Sequence, residues 1–446
     1  MKKMKKVITY GTYDLLHFGH IRLLERAKAL GDYLIVGVTS DDFDISRGKI
    51  NVQQTLMERV DAVRATGLAD EIIIEQYEGQ KIDDILKYKA DIFTVGSDWV
   101  GHFDYLKEYC EVVYLDRTQG ISSTELRSKE AELRIGLVGD THLVNKFAGE
   151  CKFVNGVEII GVHTQNSALG KEGIENVPLY DTYETLIADC DAVYIQSHPS
   201  KHYDQIKFAL NERKHVIYES PVALDGMQAK ELFTLAERNG CILYSGIKTA
   251  YSTAYARMIL MAKTGKIGKI VSVDAVCTSL KDTATEEDIE RRWNSISEWG
   301  PTAMLPVFQL LGVSSRYKNI VSRIRETGNK FDTFTKIDWV YDNAVASIKV
   351  GSGVKAEGEL VIAGTKGYIW VPAPWWKTAY FEIRYEDQTQ NKRFFYQLDG
   401  EGIRNMIASF AKSINQHKLP YVTDDVSIEI SKTMADFYAN TNVISE

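Results

Sequence analysis

The sequence has few of the features that mark secreted, membrane or metal-binding proteins. No stretch of 18 apolar residues occurs among its 446 residues, so no membrane-spanning helix is expected. The basic start Met1–Lys6 leads directly into a strand-like segment, without the apolar core of a secretion signal. The five cysteines are scattered and include no Cys-x-x-Cys pair, which favours a reducing cytoplasm over disulfides or a zinc site. We therefore expect a soluble cytoplasmic protein without a protein-built metal site.

Positive charge is also in short supply. Lysine and arginine number 53 against 61 aspartates and glutamates, which gives a formal net charge of -8. A protein that binds nucleic acid usually presents a basic surface, so a nucleic-acid partner is not expected. There are only nine histidines, so a place where two of them meet is informative.

The alternation of short apolar strands and amphipathic helices predicts an α/β protein of three domains. One β–α series begins at Val7 and a second at Leu133, which predicts two parallel sheets covered on both faces. From Ile270 onward, alternating stretches predict a mainly antiparallel sheet. The predicted domains are a Rossmann-like parallel-sheet domain at 1–129, a dinucleotide-binding Rossmann domain at 130–262 and an α+β domain at 263–446.

The two histidines of His17-Phe18-Gly19-His20 lie where the first predicted strand gives way to a helix. Ligands of open α/β sheets bind beyond the carboxyl ends of strands, and the N-terminus of a helix attracts anions. Gly19 lets the backbone approach a ligand closely. Imidazoles donate hydrogen bonds to phosphate oxygens and carry charge as a transition state forms. This predicts a polyphosphate site; taken alone, the four residues are equally consistent with histidines that only cap a helix.

Longer matching stretches lie on both sides of this segment. They read ITYGTYDLLHFGH at 8–20, LLERAK at 23–28, GSDW at 96–99, CEVVYL at 110–115 and RTQGISST at 117–124. They follow one another through the whole first domain. Residues 1–129 thus resemble the glycerol-3-phosphate cytidylyltransferase family of the HxGH nucleotidyltransferase superfamily.

The resemblance implies that His17 and His20 contact the triphosphate and that Lys49 and Arg117 act with them in catalysis. Arg47 stands where the family has a second lysine, although the 47–49 loop also fits a solvated surface turn. The remaining implied nucleotide-binding residues are Thr12, Tyr13, Asp14, Gly19, Arg59, Asp98, Trp99, Thr118 and Ser122. Asp14 is expected near the nucleotide or a magnesium ion and Arg59 near the base or the acceptor, whereas Trp99 also fits ordinary packing.

The reaction implied is attack of a polyol phosphate on the α-phosphate of CTP, giving a CDP-polyol and pyrophosphate. Mg²⁺ is expected with the CTP, and the enzyme forms no covalent intermediate. Members of the superfamily also use ATP, or phosphocholine or phosphoethanolamine as acceptor. A homo-oligomer is expected because such enzymes commonly form dimers or tetramers.

The second half resembles the glucose–fructose oxidoreductase/inositol dehydrogenase (Gfo/Idh/MocA) family. The resemblance rests on the strand and turn at 133–139, the stretch KHVIYESP at 214–221 and the segments GKIGKI at 265–270 and GTKGYI at 364–369. It implies NAD(P)H as cofactor, with Gly136 and Gly139 at the pyrophosphate. Thr141 replaces the next glycine of the dinucleotide fingerprint.

Other positions of that family's site also depart from its pattern. His163 and Thr164 lie where an acidic residue holds the ribose, which leaves open NADP or weak or absent cofactor binding. The family's Glu-Lys-Pro is Glu219-Ser220-Pro221, and Ala303 and Pro306 take the places of the expected aspartate and histidine.

Lys248 and Tyr251 are candidates to supply the missing proton donor, with surface and packing roles as the alternative. His202 matches a family position near the nicotinamide, and a capping role is equally open for it and for His198. Two hypotheses follow for the second half: a reductase that makes the polyol phosphate for a surface polymer of teichoic-acid or capsular type, or a non-catalytic binding or oligomerisation module.

Overall fold

The computed structural model describes residues 4–46, 52, 54–77, 79–116, 133–154, 156–165, 174, 177–280, 292–325, 330–396, 398–416 and 420–445. Two compact units divide the chain, Met1–Ala131 and Glu132–Glu446. Within the described ranges, no helix is long and apolar enough to cross a membrane.

The first unit is built on a parallel sheet with the strand order β3-β2-β1-β4-β5. Its strands are β1 (Lys6–Gly11), β2 (Tyr33–Thr39), β3 (Glu71–Glu75), β4 (Ile92–Gly96) and β5 (Glu111–Leu115). The helices are α1 (Phe18–Ala29), α2 (Asp41–Ser46), α3 (Leu56–Ala65) and α4 (Gln80–Tyr88). Helices α1 and α3 contribute to one hydrophobic cluster and α4 to another, so apolar side chains cover both faces of the sheet.

The second unit starts with another parallel sheet, of order β10-β9-β8-β6-β7. Its strands are β6 (Leu133–Gly139), β7 (Val157–His163), β8 (Ala192–Gln196), β9 (His215–Tyr218) and β10 (Leu243–Ser245). The helices around it are α5 (His142–Cys151), α6 (Tyr183–Asp189), α7 (His202–Asn211), α8 (Gly226–Asn239) and α9 (Thr253–Lys263). A core from α6, α7 and α8 packs against β8 and β9.

A larger sheet of order β18-β17-β16-β15-β11-β14-β13-β12-β19 completes the second unit. Its strands are β11 (Ile270–Ser279), β12 (Tyr317–Arg325), β13 (Phe331–Val340), β14 (Val345–Ser352), β15 (Leu360–Gly364), β16 (Tyr368–Val371), β17 (Tyr380–Arg384), β18 (Lys392–Phe395) and β19 (Val443–Ser445). The accompanying helices are α10 (Ser295–Leu311), α11 (Ile403–Gln416) and α12 (Asp424–Ala439). Helix α10 lies against β11, β13 and β14, and α12 lies against α8.

The α/β fold class predicted from the sequence is confirmed, with two parallel sheets followed by a mixed one. The large sheet is mainly antiparallel, as expected, but β11 pairs with β14 and β12 with β19 in parallel. The predicted division at 262–263 falls on the last residues of α9 and stays a prediction.

Candidate active site

The two histidines of the first unit meet at the start of α1. His17 has extended backbone angles and is the N-cap of the helix, where its Nδ1 accepts a hydrogen bond from the Gly19 N–H at 3.0 Å. The rings of His17 and His20 are stacked, with centroids 4.0 Å apart and planes inclined by 24°. The predicted strand-to-helix junction therefore brings both imidazoles to the positive end of the α1 dipole, where an anion is stabilised.

The loop between β1 and α1 has a strained backbone. Tyr13 and Leu15 have φ values of 54° and 46°, a region that side-chain-bearing residues rarely adopt. The Tyr13 ring is buried and meets the His20 ring edge-on, with centroids 5.6 Å apart. Strain of this kind persists only where the surroundings enforce it, and it is frequent at binding sites. Here the packing of Tyr13 fixes the position of His20.

Asp14 is tied to the segment that precedes α3. Its Oδ1 accepts a hydrogen bond from the Gln54 N–H at 3.0 Å, and the Gln54 side chain accepts one from the Leu15 N–H at 2.7 Å. Asp14 is buried. An anchored, buried carboxylate at this place suits a cation that takes most of its oxygen ligands from phosphates and water, as Mg²⁺ does.

Arg59, expected to recognise the base or the acceptor, is completely buried. Its Nη1 donates to the carbonyl oxygens of Thr12 at 2.6 Å and Thr39 at 2.8 Å, and its Nε donates to that of Gln54 at 3.1 Å. The same guanidinium pairs with Asp41 and lies 3.5 Å from Asp44.

These bonds join the carboxyl ends of β1 and β2 to the start of α3. Thr12 is held a second time, because its hydroxyl donates to Asp44 Oδ1 at 2.8 Å. Arg59 thus acts as a positioning residue in this structure, and direct contact with a ligand stays a prediction.

The remaining predicted residues of the first site are described only in part. Trp99 lies in a short 3-10 turn directly after β4, is 39% exposed and packs edge-on against His102. Asp98 belongs to the same turn, but its side chain is not among the parts of the chain that the structure describes. The predictions for Arg47, Lys49, Arg117, Thr118 and Ser122 lie outside the described residues.

In the second unit, the turn after β6 depends on glycine. Gly139 has φ 151°, and a Cβ there would lie 2.8 Å from Gln196 Oε1 and 2.9 Å from the Gln196 carbonyl oxygen. Gly136 faces Leu186, and a Cβ on Gly136 would lie 2.8 Å from the Leu186 side chain. At the position of the missing third glycine, the Thr141 hydroxyl accepts from the Leu143 N–H at the start of α5 and donates to Gln196. The threonine therefore caps the helix whose N-terminus would face a pyrophosphate.

The end of β7 carries no acidic residue, but a carboxylate reaches it from the turn after β6. Asp140 Oδ1 accepts hydrogen bonds from the Thr164 hydroxyl at 2.9 Å and the Gln165 N–H at 2.7 Å. The His163 ring lies 3.0 Å from the Tyr180 carbonyl oxygen. Glycine at 136 and 139 fits a dinucleotide, whereas Thr141 and the β7 end depart from the family's pattern.

Glu219 follows β9 directly and stands out electrostatically. Tyr194 donates a hydrogen bond to its Oε1 at 2.7 Å, and burial raises the pKa of the Glu219 carboxyl to about 7. The Ser220–Pro221 peptide bond is cis, and the Ser220 hydroxyl lies 2.9 Å from that of Ser245. The family's lysine position is thus occupied by a short hydroxyl turned toward β10.

The proton donors proposed from sequence are placed differently from one another. The Lys248 ammonium is partly exposed and forms an ion pair with Glu401 at 2.7 Å. Tyr251 is buried, and its hydroxyl donates to the Ser245 carbonyl oxygen at 2.8 Å, which favours the packing alternative. Ala303 and Pro306 are buried within α10.

Capping and packing account for the two histidines that follow β8. His198 caps the 3-10 turn at 199–201, with its Nδ1 3.3 Å from the Ser200 N–H. His202 is fully buried, and its ring nitrogens lie 2.7 Å from the Pro221 carbonyl oxygen and 2.8 Å from that of Ser197. Burial lowers the pKa of the His202 ring to about 4, against the opposing effect of these two carbonyl oxygens, and the ring packs against the cis Ser220–Pro221 segment.

Gln54, Asp44 and Glu401 are among the residues of these sites that were not found from the sequence. Gln54 and Asp44 have no motif of their own, and their roles follow from contacts made 32 to 40 residues away along the chain. Glu401 lies 153 residues from Lys248. Its flanking Gly400 and Gly402 were the only local signal, since they indicate an unusual backbone conformation.

Comparison with known proteins confirms the resemblance of the first unit. Residues 8–129 match the family model described as cytidylyltransferase-like. Over 130 residues the chain is 52% identical to the glycerol-3-phosphate cytidylyltransferase of Bacillus spizizenii. The aligned region covers 29% of this chain and 100% of that enzyme. Over 126 residues the chain is 48% identical to the enzyme of the same name from Staphylococcus aureus, covering 28% of this chain and 95% of that one.

The second unit has the fold of an oxidoreductase. Residues 133–247 match the model of an oxidoreductase family with an NAD-binding Rossmann fold. The structure of KijD10, a 3-ketoreductase from Actinomadura kijaniata in complex with NADP and TDP-benzene, is similar with a TM-score of 0.62 at 18% identity. That likeness covers 71% of this chain and 99% of the other, and at such identity it establishes the fold alone.

Proposed function

Since the chain belongs to the cytidylyltransferase-like family through its first unit, we propose that it transfers CMP from CTP to a polyol phosphate resembling glycerol 3-phosphate. The products are a CDP-polyol and pyrophosphate. The observation that carries this proposal is the stacked His17–His20 pair at the N-terminus of α1. The identity of 52% over a whole cytidylyltransferase supports the choice of nucleotide and acceptor.

The residues of the first site divide the work of this reaction among them. His17 and His20 donate hydrogen bonds to the triphosphate and stabilise the charge that develops as the acceptor's phosphate oxygen attacks the α-phosphate. Asp14 orients the magnesium ion that accompanies CTP, and Arg59 holds the loop that carries Thr12 and Asp14 in place. Arg47, Lys49, Arg117, Thr118 and Ser122 supply further contacts to the phosphates.

Pyrophosphate release tests the proposal directly. The full chain is incubated with CTP and Mg²⁺ and with glycerol, ribitol or erythritol phosphate, and the CDP-alcohol is identified by mass spectrometry. ATP replaces CTP as the control for base selection. Pyrophosphate released with CTP and at least one polyol phosphate supports the proposal, and its absence with every acceptor contradicts it.

For the second unit, we propose an NAD(P)H-dependent reductase that makes the polyol phosphate from a keto precursor. The glycines at 136 and 139 support a bound dinucleotide because they match the fingerprint of the family, and the close packing of Gly139 against Gln196 holds the turn that would face the pyrophosphate. Fusion of the two units then makes chemical sense, since one site's product is the other's substrate. A CDP-polyol of this kind would serve the synthesis of a teichoic-acid-like or capsular surface polymer.

The competing proposal for this unit is a non-catalytic binding or oligomerisation module. Ser220, Ala303 and Pro306 favour it, because none of them can replace the family's lysine, aspartate or histidine in proton transfer. NADPH oxidation with a panel of keto-polyol phosphates decides between the two proposals. Turnover that falls on the Lys248→Ala substitution would support the reductase, and neither binding nor oxidation of NADPH would support the module.

A further inference from the structure

Three lysines of the second unit converge on one carboxylate at the carboxyl edge of its parallel sheet. Lys146 comes from α5, Lys248 from the turn after β10 and Lys377 from the turn after β16. Lys248 Nζ lies 2.7 Å from Glu401 Oε2, Lys377 Nζ lies 2.5 Å from Oε1, and Lys146 Nζ lies 3.6 Å from Oε2. We call Lys146, Lys248 and Lys377 the lysine triad.

The triad carries more positive charge than Glu401 neutralises. Three ammonium groups face the Glu401 carboxylate, and the buried Glu219 carboxyl, which attracts Lys248 and has its pKa raised to about 7, offsets at most one further charge. At least one positive charge is left in excess, in a chain whose formal net charge is -8. Arg404 adds no uncompensated charge, because it pairs with Glu150 at 3.0 Å. The lysine side chains are 24 to 45% exposed, so a solute can reach them.

The backbone around Glu401 is held in an uncommon conformation. Glu401 has φ 52°, and its neighbours Gly400 and Gly402 have φ 63° and 88°. Both glycines pack closely: a Cβ on Gly402 would meet the Lys248 carbonyl oxygen, and one on Gly400 would meet the Glu150 carboxylate. A left-handed conformation is unfavourable for glutamate, and it is enforced here by contacts with both the lysine turn and α5. These contacts fix the carboxylate between the lysines and so keep the three ammonium groups apart.

We propose that the lysine triad binds the phosphate group of a ligand of the second unit, with Glu401 as a fixed spacer. Each ammonium has three N–H donors and Glu401 has only two oxygens, so donors are left over for an oxyanion. The place fits, because ligands of open α/β sheets bind beyond the carboxyl ends of the strands. The inference rests on the proposed function in one respect, that this unit takes a phosphorylated ligand. Two kinds of ligand carry such a phosphate group: a keto-polyol phosphate and a nicotinamide dinucleotide.

Protection of the lysines from chemical labelling tests the site on the full chain. The rate of reductive methylation of each lysine is followed by mass spectrometry with and without glycerol 3-phosphate, NADPH and NADH. We expect slower labelling of Lys146, Lys248 and Lys377, whereas Lys207, which pairs with Glu231 at 2.8 Å on another surface, serves as the control. Protection by glycerol 3-phosphate identifies the substrate as source, and protection by NADPH alone identifies the 2′-phosphate of the cofactor. Protection by both dinucleotides identifies the pyrophosphate, and equal labelling with every ligand overturns the proposal.

The Glu401→Gln substitution separates an anion site from a merely structural ion-pair cluster. Removal of the negative charge strengthens binding of a phosphate by roughly tenfold if the triad is its site. A structural cluster would lose stability without any gain in affinity. Lys377→Gln in turn weakens binding of the same ligand by roughly tenfold, and Lys207→Gln is the matched control. A folded Glu401→Gln protein with unchanged affinity contradicts the proposal.

The results of these binding tests do not depend on whether the first unit transfers CMP. If pyrophosphate release fails while the triad is protected, the proposed transferase function is wrong and the anion site stands. If pyrophosphate is released and the triad is labelled equally under all conditions, the anion site is wrong and the transferase function stands.

Discussion

The imidazole rings of His17 and His20 lie face to face with centroids 4.0 Å apart, while Nδ1 of His17 caps α1. His17 thus has a structural task besides its proposed catalytic one. A substitution at this residue has to separate the two.

The His17→Asn and His17→Ala substitutions make that separation. Asparagine is a favourable N-cap, whereas alanine loses the cap, at a cost of about 1 kcal/mol in stability. We expect both variants to lose about 10²- to 10³-fold in kcat for pyrophosphate release, because each removes an imidazole from the triphosphate. If His17→Asn retained full activity, the imidazole would have no part in catalysis.

Arg59 is expected to be essential for the stability of the first unit. Arg59→Met removes a buried guanidinium that pairs with Asp41, lies 3.5 Å from Asp44 and donates to three carbonyl oxygens, which costs about 3–5 kcal/mol. Hydrogen exchange of β1 and β2, followed by mass spectrometry, reports on this unit alone. Arg64→Met on the same helix is the control: the Arg64–Asp61 pair is exposed, so its loss changes stability by less than about 1 kcal/mol. Equal effects of the two substitutions would contradict the role assigned to Arg59.

The buried carboxyl of Glu219 should make the stability of the second unit depend on pH. The pKa of its carboxyl is raised from 4.5 to about 7 by burial, so the folded state keeps a proton that the unfolded state releases between these values. Stability therefore falls as the pH rises from about 4.5 to about 7, by at most about 3 kcal/mol, and this contribution is constant above that window.

Glu219→Gln keeps an acceptor for the Tyr194 hydroxyl and removes the titration. We expect urea unfolding of this variant to show a weaker loss of stability across the window than the parent protein. Glu184→Gln, at an exposed position in α6, should retain the parent's pH dependence. A Glu219→Gln profile that parallels the parent's would refute this assignment.

Gly139→Ala tests whether the turn after β6 receives a dinucleotide. The new Cβ collides with Gln196 and the φ of 151° is unfavourable for alanine, so the turn must shift. We expect loss of NADPH binding in a fluorescence titration. Gly149→Ala is the counterpart within α5, where a Cβ meets nothing within 4 Å. It should stabilise the helix by about 0.5–1 kcal/mol and leave binding intact. NADPH binding that survives Gly139→Ala would place the cofactor elsewhere.

Local patterns predicted the parallel sheets well. The first series, expected to begin at Val7, begins with β1 at Lys6, and the second, expected to begin at Leu133, begins there with β6. The helix expected at the His17–His20 segment begins at Phe18, directly after its cap His17. Alternation of apolar residues and turn chemistry are short-range properties, so the sequence displays them directly.

Long-range pairing was not predictable in the same way. The bonds of Arg59 join residues 5 to 47 positions apart, and only the folded sheet brings the ends of β1 and β2 to its guanidinium. The lysine triad likewise draws on three elements between residues 146 and 377. The parallel pair of β12 and β19 joins strands more than 100 residues apart, which no local periodicity records.

The hydrogen bond that caps α1 also determines which nitrogen of the neutral His17 ring carries the proton. Because Nδ1 of His17 accepts the Gly19 N–H, the neutral ring carries its hydrogen on Nε2 and already presents a donor. Contact with a phosphate oxygen then requires no proton from the solution.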